Sequence, residues 1–276
     1  PGQWNRAEAD LGAGALGGGP PVTGASGGGQ PGAGLTAHQK VEVDKLLSLG
    51  YAAGSRPRPR HTGVTWHVPA LAESGLLLLA SGHAPEAALI DRDGEVLHRW
   101  RCDYAQVRAT DPAAFLAPQK DDATGCWRRV HLFPDGGLLA IFEGRAVVKL
   151  DKDSHLLWAY PGHCHHDLHV DEDGRIWVLT REAGLSDHLG GGEPVLLDSF
   201  TRLSPQGEVE ARISLLAALE ASPYASLLDK APAGGDVFHT NTLERLDGSL
   251  AHLSPQFKRG NILTSIRELN AIAILD

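Results

Sequence analysis

Six polar turns set between short apolar runs constrain this chain more than anything else in it. "DRDGEVLHRW" (91–100), "DKDSHLLWAY" (151–160) and "SPQGEVEARI" (204–213) share one pattern, a polar turn followed by an outer strand. "HLFPDGGLLAIF" (131–142), "LHVDEDGRIWVLT" (168–180) and "LERLDGSLAHL" (243–253) share another, a complete inner hairpin. Runs of Val, Ile, Leu and Trp bounded by Asp, Gly, Pro and Ser read as strands and turns. The two kinds alternate strictly, with turn residues 94, 136, 154, 174, 207 and 248, and "NAIAILD" (270–276) opens another outer hairpin.

One inner and one outer hairpin make a four-stranded unit. Units repeating every ~40–50 residues, each covering its neighbour's face, mark β-propeller blades. The fold class read from the sequence is therefore all-β, a β-propeller. It holds a partial blade (64–100), two whole blades (127–160 and 165–214) and most of a fourth (239–276). A long insertion, 183–235, carries a helical segment "SLLAALEASPYASLLDK" (214–230). The competing arrangement is an all-β sandwich whose turn spacing is coincidental; the alternation favours the propeller.

Upstream, residues 1–35 are rich in Gly, Ala and Pro and read as a disordered tail. Residues 36–61 read as a short helix and linker, with Thr36 as cap and Gly50 as stop, and 62–276 as the partial propeller. With 276 residues, 42% hydrophobic, the chain is long enough to bury a real core. The net charge of −9 and the lack of long basic runs speak against nucleic acid and acidic membrane surfaces as partners. The longest purely apolar run, "LLLL" (76–79), is too short to span a bilayer. The chain has no Met, so its N-terminus is silent on targeting. Cys102, Cys126 and Cys164 leave two readings open, a Cys102–Cys126 disulfide or three buried thiols.

"GHCHHDLHV" (162–170) concentrates four histidines, a cysteine and an aspartate. Strand alternation would place His163, His165, Asp167 and His169 on one face, a Zn or Cu ligand set on paper. Side chains two apart on a strand diverge, however, and no second ligand pair lies nearby, so neither a metal nor another cofactor is expected. A propeller reading favours the channel mouth instead. His166 lies eight residues before Gly174, His239 nine before Gly248, and Arg128 eight before Gly136. The returning strands bring Arg181 and Arg267 to the same rim. Arginine forks suit sulfate or phosphate oxygens, and imidazole can donate to or accept from a hydroxyl. Each group alone has a plainer role, as a hydrogen-bonded rim histidine or an ion-paired arginine; the weight lies in their coincidence.

"HHDLHVDEDGRIWVLT" (165–180), "DVFHTNTLERLDGSL" (236–250), "GNILTSIRELNAIAILD" (260–276) and "ASGHAPEAALIDRDGEVLHRW" (80–100) resemble the bacterial arylsulfotransferase family over roughly 62–276. The resemblance implies a six-bladed propeller, a periplasmic or extracytoplasmic location, and transfer of a sulfuryl group from an aryl sulfate donor to a phenolic acceptor through a sulfohistidine, without a cofactor. It assigns His166, His239 and Arg267 as catalytic; His165, Asn241, Arg181 and Arg128, near them at the rim, are expected to bind substrate. It puts the nucleophilic histidine beyond Asp276, so the chain in hand is expected to hold the helpers without the nucleophile. Preorganised groups of this kind each supply about 2.7–4 kcal/mol of transition-state stabilisation. The alternative function is a non-catalytic propeller serving as a binding or interaction module.

Overall fold

The computed structural model describes residues 35–48, 63–115 and 125–276. The tail, the linker and the Gly50 stop lie outside the described residues. The described residues are mostly β, folded into four sheets, antiparallel apart from one short added strand, with few helices. The first sheet holds β1 (Leu77–Ala80), β2 (Glu86–Ile90) and β3 (Val96–Arg101). The second holds β4 (Val130–Leu132), β5 (Leu138–Phe142), β6 (Ala146–Leu150) and β7 (Leu156–Tyr160). The third runs β8 (His165–Val170), β9 (Ile176–Gly184), β10 (Val195–Leu203) and β11 (Val209–Ser214), with β12 (Gly235–Asp236) added in parallel to β10. The fourth holds β13 (Glu244–Arg245), β14 (Ile262–Ile266) and β15 (Ala271–Leu275). These limits follow the four repeat units read from the turns.

The two turn classes differ in their hydrogen bonding. In the outer class the first turn residue caps the backbone two and four positions on: Asp91 accepts from Asp93 and Glu95, Asp151 from Asp153 and His155, Ser204 from Gln206 and Glu208. In the inner class the residue before the glycine accepts two positions on: Asp135 from Gly137, Asp173 from Arg175, Asp247 from Ser249. The turns need a residue at positive φ, hence Gly at most of them; Ser154, at φ 69°, takes that place in one.

The sheets stack in chain order through alternate faces of their middle strands. Leu138, Ala140 and Phe142 of β5 pack with Ala87 and Trp100 of the first sheet. Leu139 and Ile141, on its other face, pack with Leu168, Ile176 and Val178 of the third. Trp177 and Leu179 of β9 then face Leu243, Ile262 and Ile266 of the fourth. Strands buried on both faces explain the near-continuous apolar runs "LLAIF" and "IWVL". Each fully buried Leu or Ile contributes about 1.5–3 kcal/mol. Indole N–H groups tie neighbouring sheets: Trp100 donates to the Gly136 carbonyl and Trp158 to that of Pro205.

Helix α1 (Ala37–Ser48) starts where expected, with Thr36 and Gln39 capping each other's backbone N–H groups. A second helix, α2 (Tyr104–Thr110), was not foreseen; Asp103 and Gln106 form its capping box. The segment 214–230 is a short helix, α3 (Leu215–Glu220), then a 3-10 turn, broken near Pro223. Two expectations are corrected. The 183–235 insertion is not one excursion, because β10 and β11 lie within it. "SLAHL" (249–253) is not a strand: β13 is answered by β14, and the intervening loop is held by Leu246–Asn261 and Gly260–Leu246 backbone bonds. No disulfide joins the three cysteines, so the Cys102–Cys126 bridge is not formed; Cys102 and Cys164 are buried and Cys126 is half-buried. No helix among the described residues is long and apolar enough to cross a membrane.

Candidate functional site

The histidine cluster arises from a break in strand register. In the β8–β9 pair His165 opposes Leu179 and Leu168 opposes Val178, so His166 and Asp167 form a bulge between them. His166 sits there at φ 49°, a left-handed conformation uncommon outside Gly, Asn, Asp and His. His239 repeats it at φ 47°, just before the isolated bridge of Thr240 to Ile266. The backbone kinks swing both imidazoles towards each other, with ring centroids 5.0 Å apart.

Arg267 reaches the same place from the end of β14. Its Nη1 lies 3.2 Å from His239 Nε2, and its backbone N–H donates to the His239 carbonyl. His239 Nδ1 faces Asp236 Oδ2 at 2.9 Å, and Asp236 also accepts from the His239 backbone N–H. Arg181, with its side chain 1% exposed, stands 4.0 Å from the same Asp236 carboxylate. It crosses tightly over Gly144, where an added Cβ would meet Arg181 Nη2 at 2.6 Å and φ is +67°.

A second carboxylate serves His166. Glu143 Oε2 accepts from the His166 backbone N–H, its Oε1 lies 3.3 Å from His166 Nδ1, and Arg128 Nε approaches Oε2 at 3.8 Å. Burial holds His166 far below the usual histidine range, at about 2, and the neighbouring His165, Arg128, His239 and Arg181 add to the effect. His166 is therefore a neutral imidazole throughout the physiological range. Burial also lowers His163, and pushes the Cys164 thiol up to about 12.

The structure thus brings His166, His239, Arg267, Arg181 and Arg128 together. His165 is buried to 1%, between His166 and Asp198. Asn241 is half-buried two residues after His239, its backbone N–H bonded to the Ser265 carbonyl. The register break corrects the one-face grouping of His163, His165, Asp167 and His169 only in part: Asp167 is looped out of the ladder, while His165, opposite Leu179, and His169, opposite Trp177, do share a face. His163 contacts the Gly144 carbonyl, Asp167 serves Arg129 and the Leu243 N–H, and His169 lies by Asp171. Glu143, His165 and His166 do bring one ligand atom each within 4.8 Å of one another. The positive field of Arg128 and Arg181 at His166 opposes a divalent cation there. Glu143, Asp198 and Asp236 were missed from the sequence; only their acidic character amid apolar strands signalled them.

A cavity of about 250 Å³ adjoins this cluster. Arg181, His163, Tyr160 and Arg212 line it, and Val43 and Leu47 of α1 wall it in.

No protein-family model matches the chain, and no curated protein does. Among solved structures it is similar to a protein of unknown function from Bacteroides caccae, with 14% identity and a TM-score of 0.40 over 70% of this chain and 51% of that one. It is also similar to BamB from Moraxella catarrhalis, with 9% identity and a TM-score of 0.32 over 72% and 55% of the two chains. The chain spans about half the length of each.

Proposed function

We propose that the four stacked sheets are consecutive blades of a β-propeller and that the cluster at their edge is an aryl-sulfate site of the arylsulfotransferase type. The observation that carries this reading is the meeting of His166, His239 and Arg267, three residues from separate segments, within ring contact and hydrogen-bond distance. Arg267 and Arg181 supply N–H donors for sulfuryl oxygens. His239, with Asp236 at Nδ1 and Arg267 at Nε2, is a neutral ring that aims the Arg267 fork. The cavity beside Arg181 has room for a phenyl ring, since one of ~150 Å³ holds benzene. In the transfer, a neutral imidazole attacks sulfur in line and the S–O(aryl) bond breaks with its electrons leaving on the phenolate; the S–N bond then breaks as SO₃ passes to a second phenol, whose proton balances the first phenolate. The family resemblance assigns that imidazole to a later segment, with His166, His239 and Arg267 as its helpers and an extracytoplasmic location.

A second reading, a non-catalytic binding module, draws support from the carboxylates beside Arg128, Arg181 and Arg267, at Glu143, Asp236 and Glu268. Titration of the chain with phenyl sulfate, followed by histidine side-chain resonances, separates the two. The aryl-sulfate reading expects saturable binding that Arg267→Ala weakens at least tenfold. Absence of binding at millimolar ligand, or binding indifferent to Arg267→Ala, refutes it.

A further inference from the structure

Behind His166 lies a buried polar chain that the sulfuryl-transfer reading does not use. The Thr240 N–H donates to Asp198 Oδ2 at 2.9 Å. Asp198 Oδ1 faces His165 Nε2 at 3.4 Å, and His165 Nδ1 lies 3.1 Å from His166 Nδ1. Beyond that, His166 Nδ1 faces Glu143 Oε1 at 3.3 Å. Neither pair is aligned as a hydrogen bond: Asp198 Oδ1, Glu143 Oε1 and His165 Nε2 have no hydrogen-bond partner among the described residues. Both carboxylates are almost wholly buried, so each oxygen needs a proton donor.

We propose that Asp198 and His165 are positioning residues that fix the tautomer of His166, with the proton on Nδ1 and the lone pair on Nε2. With both rings neutral and both carboxylates ionised, the proton count closes this way. Two neutral imidazoles carry two N–H groups between them, and two carboxylate oxygens each call for one. His165 gives its Nε2–H to Asp198, which leaves His165 Nδ1 as an acceptor. His166 Nδ1–H then serves both His165 Nδ1 and Glu143 Oε1. The opposite tautomer of His166 sets its bare Nδ1 against the Glu143 carboxylate at 3.3 Å. Asp198 links the two halves of the cluster, since its other oxygen holds the backbone next to His239.

One consequence rests on the aryl-sulfate reading. A lone pair on His166 Nε2 accepts a hydrogen bond from a hydroxyl and gives none to a departing phenolate. His166 then orients the acceptor phenol as its neutral O–H form, while stabilisation of the leaving oxygen falls to the arginine N–H groups.

The test is the tautomer itself, read from long-range proton–nitrogen correlations of the ¹⁵N-labelled chain, with His166 assigned by its loss in His166→Asn. The wild-type chain is expected to show Nδ1 protonated and Nε2 bare. Asp198→Asn is the informative variant. The Thr240 N–H holds the amide oxygen of the substituted side chain, so the new NH₂ turns to His165 Nε2. His165 then shifts its proton to Nδ1, and His166 becomes the Nε2–H form. Loss of stability alone would leave the His166 tautomer unchanged. An Nε2–H His166 in the wild type, or an unaltered tautomer in folded Asp198→Asn, overturns the proposal. So does stoichiometric capture of added Zn²⁺ by the Nδ1 atoms of His165 and His166. Should Asp198→Asn not fold, the wild-type spectrum decides by itself. Addition of phenyl sulfate keeps the two readings apart: an intact relay with no phenyl sulfate binding sinks the function and not the relay. Binding that depends on Arg267, with the wrong tautomer, does the reverse.

Discussion

His166 makes the stability of this protein pH-dependent in a way that can be worked out from its surroundings. Its value in the fold is about 2, against 6.5 for the free side chain. Below pH 6.5 the unfolded chain binds a proton at this position that the folded chain refuses. Stability is therefore independent of this group above about pH 6.5 and falls as the pH drops below it, by about 1.4 kcal/mol per pH unit. Between about pH 6.5 and 4.5 the loss is about 2.7 kcal/mol, a large share of the roughly 5–15 kcal/mol typical of a domain. His166→Asn removes the titrating group while keeping a residue that tolerates the observed φ of 49°. At about pH 7.5 the variant should be about 1–2 kcal/mol less stable, from lost ring packing against His239. On acidification it should lose about 2.7 kcal/mol less than the wild type, so the two curves converge or cross near about pH 5. His163 and His131, also lowered by burial, stay in both proteins and cancel in the comparison. Urea unfolding followed by tryptophan fluorescence at unit pH steps measures the difference. Parallel curves across that whole range would show that His166 is protonated in the fold and that its burial has been misjudged.

Gly144→Ala should displace Arg181, because the new Cβ falls 2.6 Å from its guanidinium at a backbone of φ +67°; a cost of about 1–3 kcal/mol is expected, together with weakened phenyl sulfate binding by calorimetry. Leu139→Ala opens a void between the second and third sheets and should cost about 2–5 kcal/mol in urea unfolding while leaving the His239–Arg267 contact in place. Trp158→Phe loses the indole bond to the Pro205 carbonyl, and a destabilisation of about 0.5–1.5 kcal/mol is expected, with no change in ligand affinity.

The sheets were legible because their signals are local. An Asp, Ser or Gly at a turn acts over two to four residues, and the apolar runs of β5 and β9 are written in consecutive positions. Where the partner strand is distant, local reading failed: Gly248 does turn at φ 82°, but the strand that answers β13 begins only at Ile262. The reason is that "NILTSI" has a core face to bury against the third sheet, whereas Leu250 and Leu253 stay exposed.

The candidate site shows the same division more sharply. Offsets from turn glycines pointed to His166 and His239, whose rings the structure places 5.0 Å apart. Strict period-two alternation was not enough to orient them. It grouped His165 with His163, Asp167 and His169, when His166 and Asp167 are two extra residues looped out of the ladder; Asp167 leaves the alternation, while His165, opposite Leu179, keeps the face of His169, opposite Trp177. A bulge has no strong composition signal when the residue at positive φ is a histidine rather than a glycine. The kink carries a backbone cost of about 1–3 kcal/mol at each of His166 and His239. Glu143 and Asp236 offset it by bonding to the backbone N–H of the kinked residue itself. The same carboxylates that hold the kinks also face the Nδ1 atoms of the two rings. Backbone distortion and imidazole orientation are thus one device used twice, in the second-to-third and third-to-fourth sheet junctions. Its carboxylate comes from more than twenty residues away for His166 and only three away for His239. Reading outward from the histidines could have found Asp236 in "DVFH", whereas only the fold ties Glu143 to His166.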